Sequence, residues 1–364
     1  MEATQIAITR INVNDWDRYI KGAITPHYFV WPVVELNKKF GWECEIIFPG
    51  KKRETIQLQE GIRAEVFPIT SKWRDLSLPL IRHANRATGL LLPFGYNVWN
   101  SLIPTKKSKA KKFYTTAFER YFGRPPGHWI FKNIEAKYLE HADIIRVFTP
   151  WEKAELEKYV KKELSLLPLG IRTDIADKYE RPKHGERFRF FTLCRIDDKK
   201  NFEMICRVWK RIEDKYDAEW VIAGNIENQA YFSRLKAILG GSKNVKFLGF
   251  LGRDDAIKEM LKSDVYIQTS RSEGFPSSPV EAQTFGLPVI TTNVTGMSYI
   301  IKDGYSGILV GLDDDEALFR AMSNMIENDA IRKQMGKNGM KFVKENFDYS
   351  KVKDKFIHMV EGMI

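Results

Sequence analysis

Two glutamates, Glu273 and Glu281, close the two ends of the stretch EGFPSSPVE, with seven residues between them. An ionised carboxylate only accepts hydrogen bonds, so two of them facing one crevice suit hydroxyl groups, at roughly 1.5–3 kcal/mol per charge-assisted bond. Between them Gly274 frees the backbone, Pro276 and Pro279 fix it, and Ser277 and Ser278 can cap a helix or bond an anion. The apolar run 265–268 reads as a buried parallel strand feeding this loop. A helix running on from Val280 stops at Gly286, and 287–292 reads as the next strand. Such a strand–loop–helix–strand unit aims unpaired N–H groups at the carboxyl edge of a parallel sheet, where a phosphate or sugar oxygen is favoured. Either glutamate alone also reads as a solvated acid at the positive end of a helix. The whole pattern points to a sugar or a ribose.

EGFPSSPVE, followed by AQTFGLPVI and a downstream glycine, resembles the donor-site signature of retaining nucleotide-sugar glycosyltransferases of the glycosyltransferase-B fold, the glycosyl transferases group 1 family. The resemblance implies an α/β chain of two Rossmann-like domains facing across a cleft. It implies that Glu273 binds the transferred sugar and Glu281 the ribose, while the loop of Gly274, Phe275, Pro276, Ser277 and Ser278 meets sugar or phosphate oxygens. The activity implied is transfer of a hexose from a nucleoside-diphosphate sugar to a hydroxyl of a glycan or lipid-linked saccharide, with retention of configuration. No cofactor beyond that donor is expected.

The remaining site residues follow from the same resemblance. A strand at 188–193 runs into CRIDDKKN. In the family a Gly-Arg pair, with a lysine five positions after the arginine, binds the donor diphosphate. Arg195 and Lys200 match it, and Cys194 stands in place of the glycine. Two cations at a strand end neutralise two phosphates and the growing charge of the leaving diphosphate. Strands follow at 220–223 and 245–248, then the turn Gly249-Phe250-Leu251, which in relatives lies against the base; Phe250 and Leu251 are base contacts on that ground. Asp313-Asp314-Asp315 precedes a helix starting near Glu316 and reads as an N-cap and first-turn acids, so no metal is expected.

The N-terminal half departs further from the family. A strand at 5–11 precedes a polar stretch, a helix at 28–40 and a second strand at 43–48. The family's Gly-Gly pair is represented by Gly22 alone. The strand at 112–118 carries Thr115, Thr116 and Ala117 where many relatives have an active-site histidine; His27 and His128 are the histidines nearest to such a role, and each also reads as an ordinary cap or turn residue. The run KKSKAKK at 106–112 suits an anionic membrane face, at about 1 kcal/mol per lysine, or a solvated basic loop.

A chain of 364 residues, 43% hydrophobic and 13% aromatic, is long enough for two cores. The expected domains are 1–172, which holds the acceptor; 173–345, which holds the nucleotide-sugar; and a terminal helix at 346–364 returning to the first. A formal net charge of +11 calls for an anionic partner, and the nucleotide donor or a lipid surface supplies one without nucleic acid, for which no motif is present. Three cysteines without metal-like spacing, no signal-like leader and no long apolar run suggest a cytoplasmic protein, either free or peripheral on the inner membrane face. An inactive nucleotide-sugar-binding protein is the alternative, suggested by the missing histidine and the single N-terminal glycine. A dinucleotide oxidoreductase would need a GxGxxG after a strand, and there is none.

Overall fold

The computed structural model describes residues 1–6, 30–71, 76–93, 98–116, 129–182, 185 and 187–364. Gly22, His27, Ala117 and His128 lie outside these residues. The chain forms two compact units, Met1–Gly170 with Tyr349–Ile364, and Ile171–Asp348. Its crossings thus fall at 170/171 and 348/349, where the sequence placed them at 172/173 and 345/346. Backbone pairing explains the offset: the Ile171 N–H donates to the Phe347 carbonyl at 2.7 Å, and Ile171 bridges Asp348, so both crossing segments begin inside the second unit.

The first unit runs β1 (Glu2–Ile6), α1 (Trp31–Phe40), β2 (Glu43–Gly50), β3 (Glu54–Gln59), β4 (Ile62–Pro68), α2 (Leu78–Ala84), β5 (Leu90–Leu92), α3 (Val98–Lys107), β6 (Lys111–Thr115), α4 (Trp129–Leu139), β7 (Ile144–Val147), α5 (Pro150–Leu156) and β8 (Leu164–Leu166). Among the described residues its sheet has the order β3-β4-β2-β1-β5-β6-β7-β8, parallel except for β3. Helices cover parallel strands on both faces, which is why β1 and β2 are nearly continuous buried runs. The antiparallel β3 was not anticipated; its alternating burial marks an edge strand with one wet face. The terminal helix belongs to this unit, with Phe356 packed edge-on against Trp31 and Phe113.

The second unit runs β9 (Phe188–Leu193), α6 (Phe202–Lys215), β10 (Ala218–Ala223), α7 (Gln229–Leu239), β11 (Val245–Gly249), α8 (Arg253–Leu261), β12 (Val265–Gln268), α9 (Ser277–Thr284), β13 (Val289–Thr292), α10 (Met297–Ile300), β14 (Gly307–Val310), α11 (Asp315–Glu327) and α12 (Asp329–Asn346); α13 (Tyr349–Glu361) follows in the first unit. All six of its described strands are parallel, in the order β11-β10-β9-β12-β13-β14. Helix α6 shows how sequence period becomes packing: Phe202, Ile205, Val208, Trp209 and Ile212 recur on one face and are buried. Trp209 meets Trp220 of β10 at 5.8 Å between ring centres.

The chain steps outward from β9 to β11 and then returns to β12 on the other side of β9. The β9/β12 junction is therefore where the winding reverses, and in open α/β sheets the crevice outside the carboxyl ends of such a pair is the natural ligand site. Whatever leaves β9 and β12 at that edge is placed to do chemistry.

Candidate functional site

Strand β9 delivers Lys200 and strand β12 delivers Glu273, and the two side chains meet: Lys200 Nζ lies 2.5 Å from Glu273 Oε1. Both are largely buried, at 12% and 8% side-chain exposure. Burial alone would push the lysine down, but the Glu273 carboxylate beside it holds it above the ordinary lysine range. Ser270 Oγ and Gln268 Nε2 also donate to Glu273 Oε1, at 2.7 and 3.1 Å. Oε1 is thus held by three donors.

The approach to Lys200 is built residue by residue. Asp197 accepts from the Lys200 N–H at 3.1 Å and so starts the one-turn 3-10 helix Asp198–Lys200. Asn201 ends that turn in the left-handed region, φ 49°, which asparagine tolerates. It is fully buried. Its carbonyl accepts from Thr269 Oγ1 (2.8 Å), its amide nitrogen donates to Asp313 Oδ1 (3.1 Å) and its amide oxygen accepts from Arg271 (2.8 Å). Arg271 closes the ring on Asp313 Oδ2 at 2.9 Å. Three loops, after β9, β12 and β14, are thereby locked together around the residue that follows Lys200. From sequence the three aspartates read as an N-cap and first-turn acids. Asp314 does cap α11, accepting from the Ala317 N–H, and Asp315 pairs with Arg207 from the first turn, but Asp313, at φ 58°, turns into this ring.

Two glycines set the spacing. A Cβ on Gly296 would lie 1.8 Å from the Gly274 carbonyl oxygen, and one on Gly224 would lie 1.8 Å from that of Cys194. Gly296 also donates its N–H to the Glu273 carbonyl at 2.9 Å, while Thr295 Oγ1 bonds both the N–H and the carbonyl of Glu273. Residues 294–296 are the cradle of the donor loop.

Helix α9 begins at Ser277, which places Glu281 about one turn in, with Pro276 at the N-cap and no side-chain cap bond. Neither serine caps it. Ser278 bonds the Tyr266 hydroxyl instead, whose single proton is shared between the Gln268 amide oxygen at 2.8 Å and the Leu193 carbonyl at 3.1 Å. The first-turn amides of α9 thus carry no side-chain cap at the carboxyl edge of the sheet, the arrangement that favours an anionic or sugar oxygen. Phe275 packs edge-on against Tyr299 and Phe347.

Of the other residues singled out from sequence, Arg195 stands exposed at 63%, with Asp197 at 3.9 Å as its ion-pair partner. Glu281 is half-buried within α9, where its charge acts on Arg253. Phe250 is 73% exposed and Leu251 half-buried on the turn after β11. Cys194 is half-buried, and loss of solvent, with the Glu273 and Asp197 charges nearby, pushes its thiol up to about 12, out of reach of thiolate chemistry near neutral pH. Sequence reasoning missed Gln268, Asn201, Arg271, Asp313 and Thr295. Only TSRSE, rich in polar groups just after a strand, signalled any of them.

The model of the family described as Glycosyl transferases group 1 matches residues 174–342. A glycosyltransferase of Methanocaldococcus jannaschii, itself uncharacterised, is 31% identical over 134 residues, 36% of this chain and 34% of that protein. An Escherichia coli UDP-Gal:alpha-D-GlcNAc-diphosphoundecaprenol alpha-1,3-galactosyltransferase is 30% identical over 177 residues, 44% of this chain and 46% of that one. The chain thus spans less than half the length of these curated relatives. Among solved structures, sucrose-phosphate synthase of Thermosynechococcus elongatus is similar with a TM-score of 0.79 at 16% identity, covering 100% of this chain and 98% of that one. Anabaena HepE, in complex with UDP and glucose, gives 0.75 at 14% identity, covering 100% of both. At such identities the two structures speak for the fold alone: two Rossmann-like α/β domains of the glycosyltransferase-B type.

Proposed function

We infer that the chain, whose residues 174–342 match the model of the Glycosyl transferases group 1 family, moves a sugar from a nucleoside-diphosphate donor to an acceptor hydroxyl. The observation that carries this reading is the Lys200–Glu273 pair at the winding reversal of the second sheet, beside a helix N-terminus without a side-chain cap. Glu273 accepts from hydroxyls of the transferred hexose. Lys200, joined by the exposed Arg195, meets the diphosphate, and Glu281 takes the ribose hydroxyls. In the reaction the acceptor oxygen bonds to the anomeric carbon as the bond from that carbon to the diphosphate breaks. The acceptor proton passes to the departing diphosphate on the same face, which gives retention. Lys200 gains most as charge builds on the leaving group, and such a contact lowers the barrier rather than merely tightening binding.

Support for a uridine donor and for a lipid-linked saccharide acceptor comes from the Escherichia coli relative, named for UDP-Gal and a diphosphoundecaprenol-linked sugar. The test is a panel of uridine, guanosine and adenosine diphosphate sugars, read by thermal stabilisation and by release of nucleoside diphosphate. A matched donor at about 100 times its dissociation constant adds about 2.7 kcal/mol. No stabilisation by any member would end the reading, and binding without transfer to any saccharide acceptor would favour a non-catalytic sugar-nucleotide binder.

The first unit carries a basic sheet edge suited to an acceptor held at a lipid surface. Helices α2 and α3 end at the edge where β5 and β6 begin, tied by a 3.1 Å bond from Ser108 Oγ to the Ala87 carbonyl. Arg82, Arg86, Lys106, Lys107, Lys109 and Lys111 are exposed there. No described helix is long and apolar enough to cross a membrane. The full chain should sediment with vesicles containing phosphatidylglycerol at low salt, and replacing Lys106, Lys107 and Lys109 by glutamate should remove most of that binding. Equal sedimentation of the two proteins would refute membrane docking through this edge.

A further inference from the structure

A cavity of about 490 Å³ lies at the amino edge of the second unit's sheet. Its walls are the end of α8 at Leu261, the segment from Lys262 to Asp264 that enters β12, Gly286 and Pro288 on the way into β13, the start of α12, and Arg181. Lys200 and Glu273 leave the same sheet at its other end, with the length of β12, roughly 13 Å, between the two places. Small-molecule sites run from about 300 to 1,000 Å³ and a water takes about 30 Å³, so this space suits an organic ligand better than a single ion.

Charge narrows the ligand. Four cations line the cavity, Arg181, Lys262, Arg332 and Lys333, against the carboxylates of Asp264 and Asp329. Arg332 is 11% exposed, fixed by the Met325 carbonyl at 2.7 Å and Asp329 at 2.6 Å, with its guanidinium 4.9 Å from the centre of the Phe188 ring. Arg181 donates to the Leu261 carbonyl at 3.3 Å and to that of Ser263. A guanidinium has five N–H groups, and these bonds occupy two on each arginine. Asp264 spends one carboxylate oxygen on the Arg189 N–H of β9, at 2.8 Å. Loss of solvent draws the Arg181 pKa down, Asp264 opposes the fall and the charge of Arg332 adds to it, so the two guanidiniums stand close enough to repel.

An anion bridging the two arginines relieves that repulsion, and the planar fork of a guanidinium matches the oxygens of a phosphate. The carboxylates discriminate further. Asp264 and Asp329 repel a bare polyanion, yet each accepts from hydroxyl groups, so a phosphate joined to a polyol meets both halves of the lining. We propose that this cavity binds a sugar monophosphate, its phosphate on Arg181 and Arg332 and its hydroxyls on Asp264 and Asp329. The site stands apart from the donor crevice and does not depend on the transferase reading.

The test is calorimetry on the full chain with glucose 6-phosphate, glucose 1-phosphate and ribose 5-phosphate, beside glucose and inorganic phosphate alone. At least one sugar phosphate should bind, glucose should not, and inorganic phosphate should bind about tenfold more weakly. Arg181→Met, which keeps the apolar stem, should weaken the sugar phosphate about tenfold or more, the scale of one charge-assisted hydrogen bond. Lys200→Met, at the other end of the strands, should leave its affinity unchanged. If Arg181→Met does not fold, having lost its ties to the Leu261 and Ser263 carbonyls, the test passes to Lys262→Gln combined with Lys333→Gln. Those lysines are 50% and 71% exposed, so the pair should weaken binding severalfold without lowering the melting temperature. A wild-type chain that binds none of the three at millimolar concentration would overturn the proposal, as would unchanged affinity in the arginine or the lysine variant. So would a loss of binding in Lys200→Met, which would place the ligand in the donor crevice, or inorganic phosphate binding as tightly as the sugar phosphate, which would remove the hydroxyl contacts.

Discussion

Lys200→Met should lower turnover about 10³-fold, the upper range for removing one preorganised charge stabiliser. It should also destabilise the ligand-free protein by about 3 kcal/mol, because Glu273 stays buried without its cation. The two losses have different causes and separate in the double variant. Adding Glu273→Gln removes the orphaned charge and should restore much of the stability, while turnover stays low because the diphosphate still lacks Lys200 and the hexose now lacks Glu273 as well. If the double variant regained activity along with stability, the pair would be structural and neither side chain would act on the donor. The sign of the pH effect also discriminates. Glu273 raises the Lys200 pKa above 10.5 in the fold, so the bridge contributes fully below the unfolded value and is lost only as pH rises through the folded one. Stability from this pair should therefore be flat across neutral pH and decline only in strongly alkaline solution, and the single variant should lose that alkaline decline.

Such a pair is legible in sequence only as far as residue types and spacing reach. EGFPSSPVE and the arginine-to-lysine spacing after Cys194 could be read because short loops at strand ends carry their own signals. That Lys200 and Glu273 touch could not, since they lie 73 positions apart and only the winding reversal beside β9 joins their strands. Asp313 was misread because three consecutive aspartates before a helix look alike, and only the left-handed backbone at the first turns it toward Asn201. The capping of α9 differs for the opposite reason: Ser277 and Ser278 are the residue types that cap helices, yet Pro276 holds the N-cap position and Ser278 bonds Tyr266. The β3 edge strand carries no continuous apolar run, because its buried and exposed residues alternate.

The downstream glycine of the motif yields the other large effect. Gly296→Ala should cut turnover about 10²-fold and lower stability by about 1–3 kcal/mol, through contact alone. At φ −65° an alanine backbone is comfortable there, so no conformational penalty enters. The added methyl, however, would sit 1.8 Å from the Gly274 carbonyl oxygen and 3.0 Å from that of Glu273. These are backbone atoms and cannot rotate aside, so the donor loop must retreat by about 1 Å, the scale of misplacement that costs two orders of magnitude in rate. Glu273 would leave its place against Lys200, Ser270 and Gln268 together with the loop. Gly185→Ala, where the same methyl meets open space, is the matched control and should be silent in both turnover and melting. A Gly296→Ala enzyme with wild-type turnover and melting temperature would mean that the loop tolerates displacement, and that Glu273 does not depend on this cradle for its position.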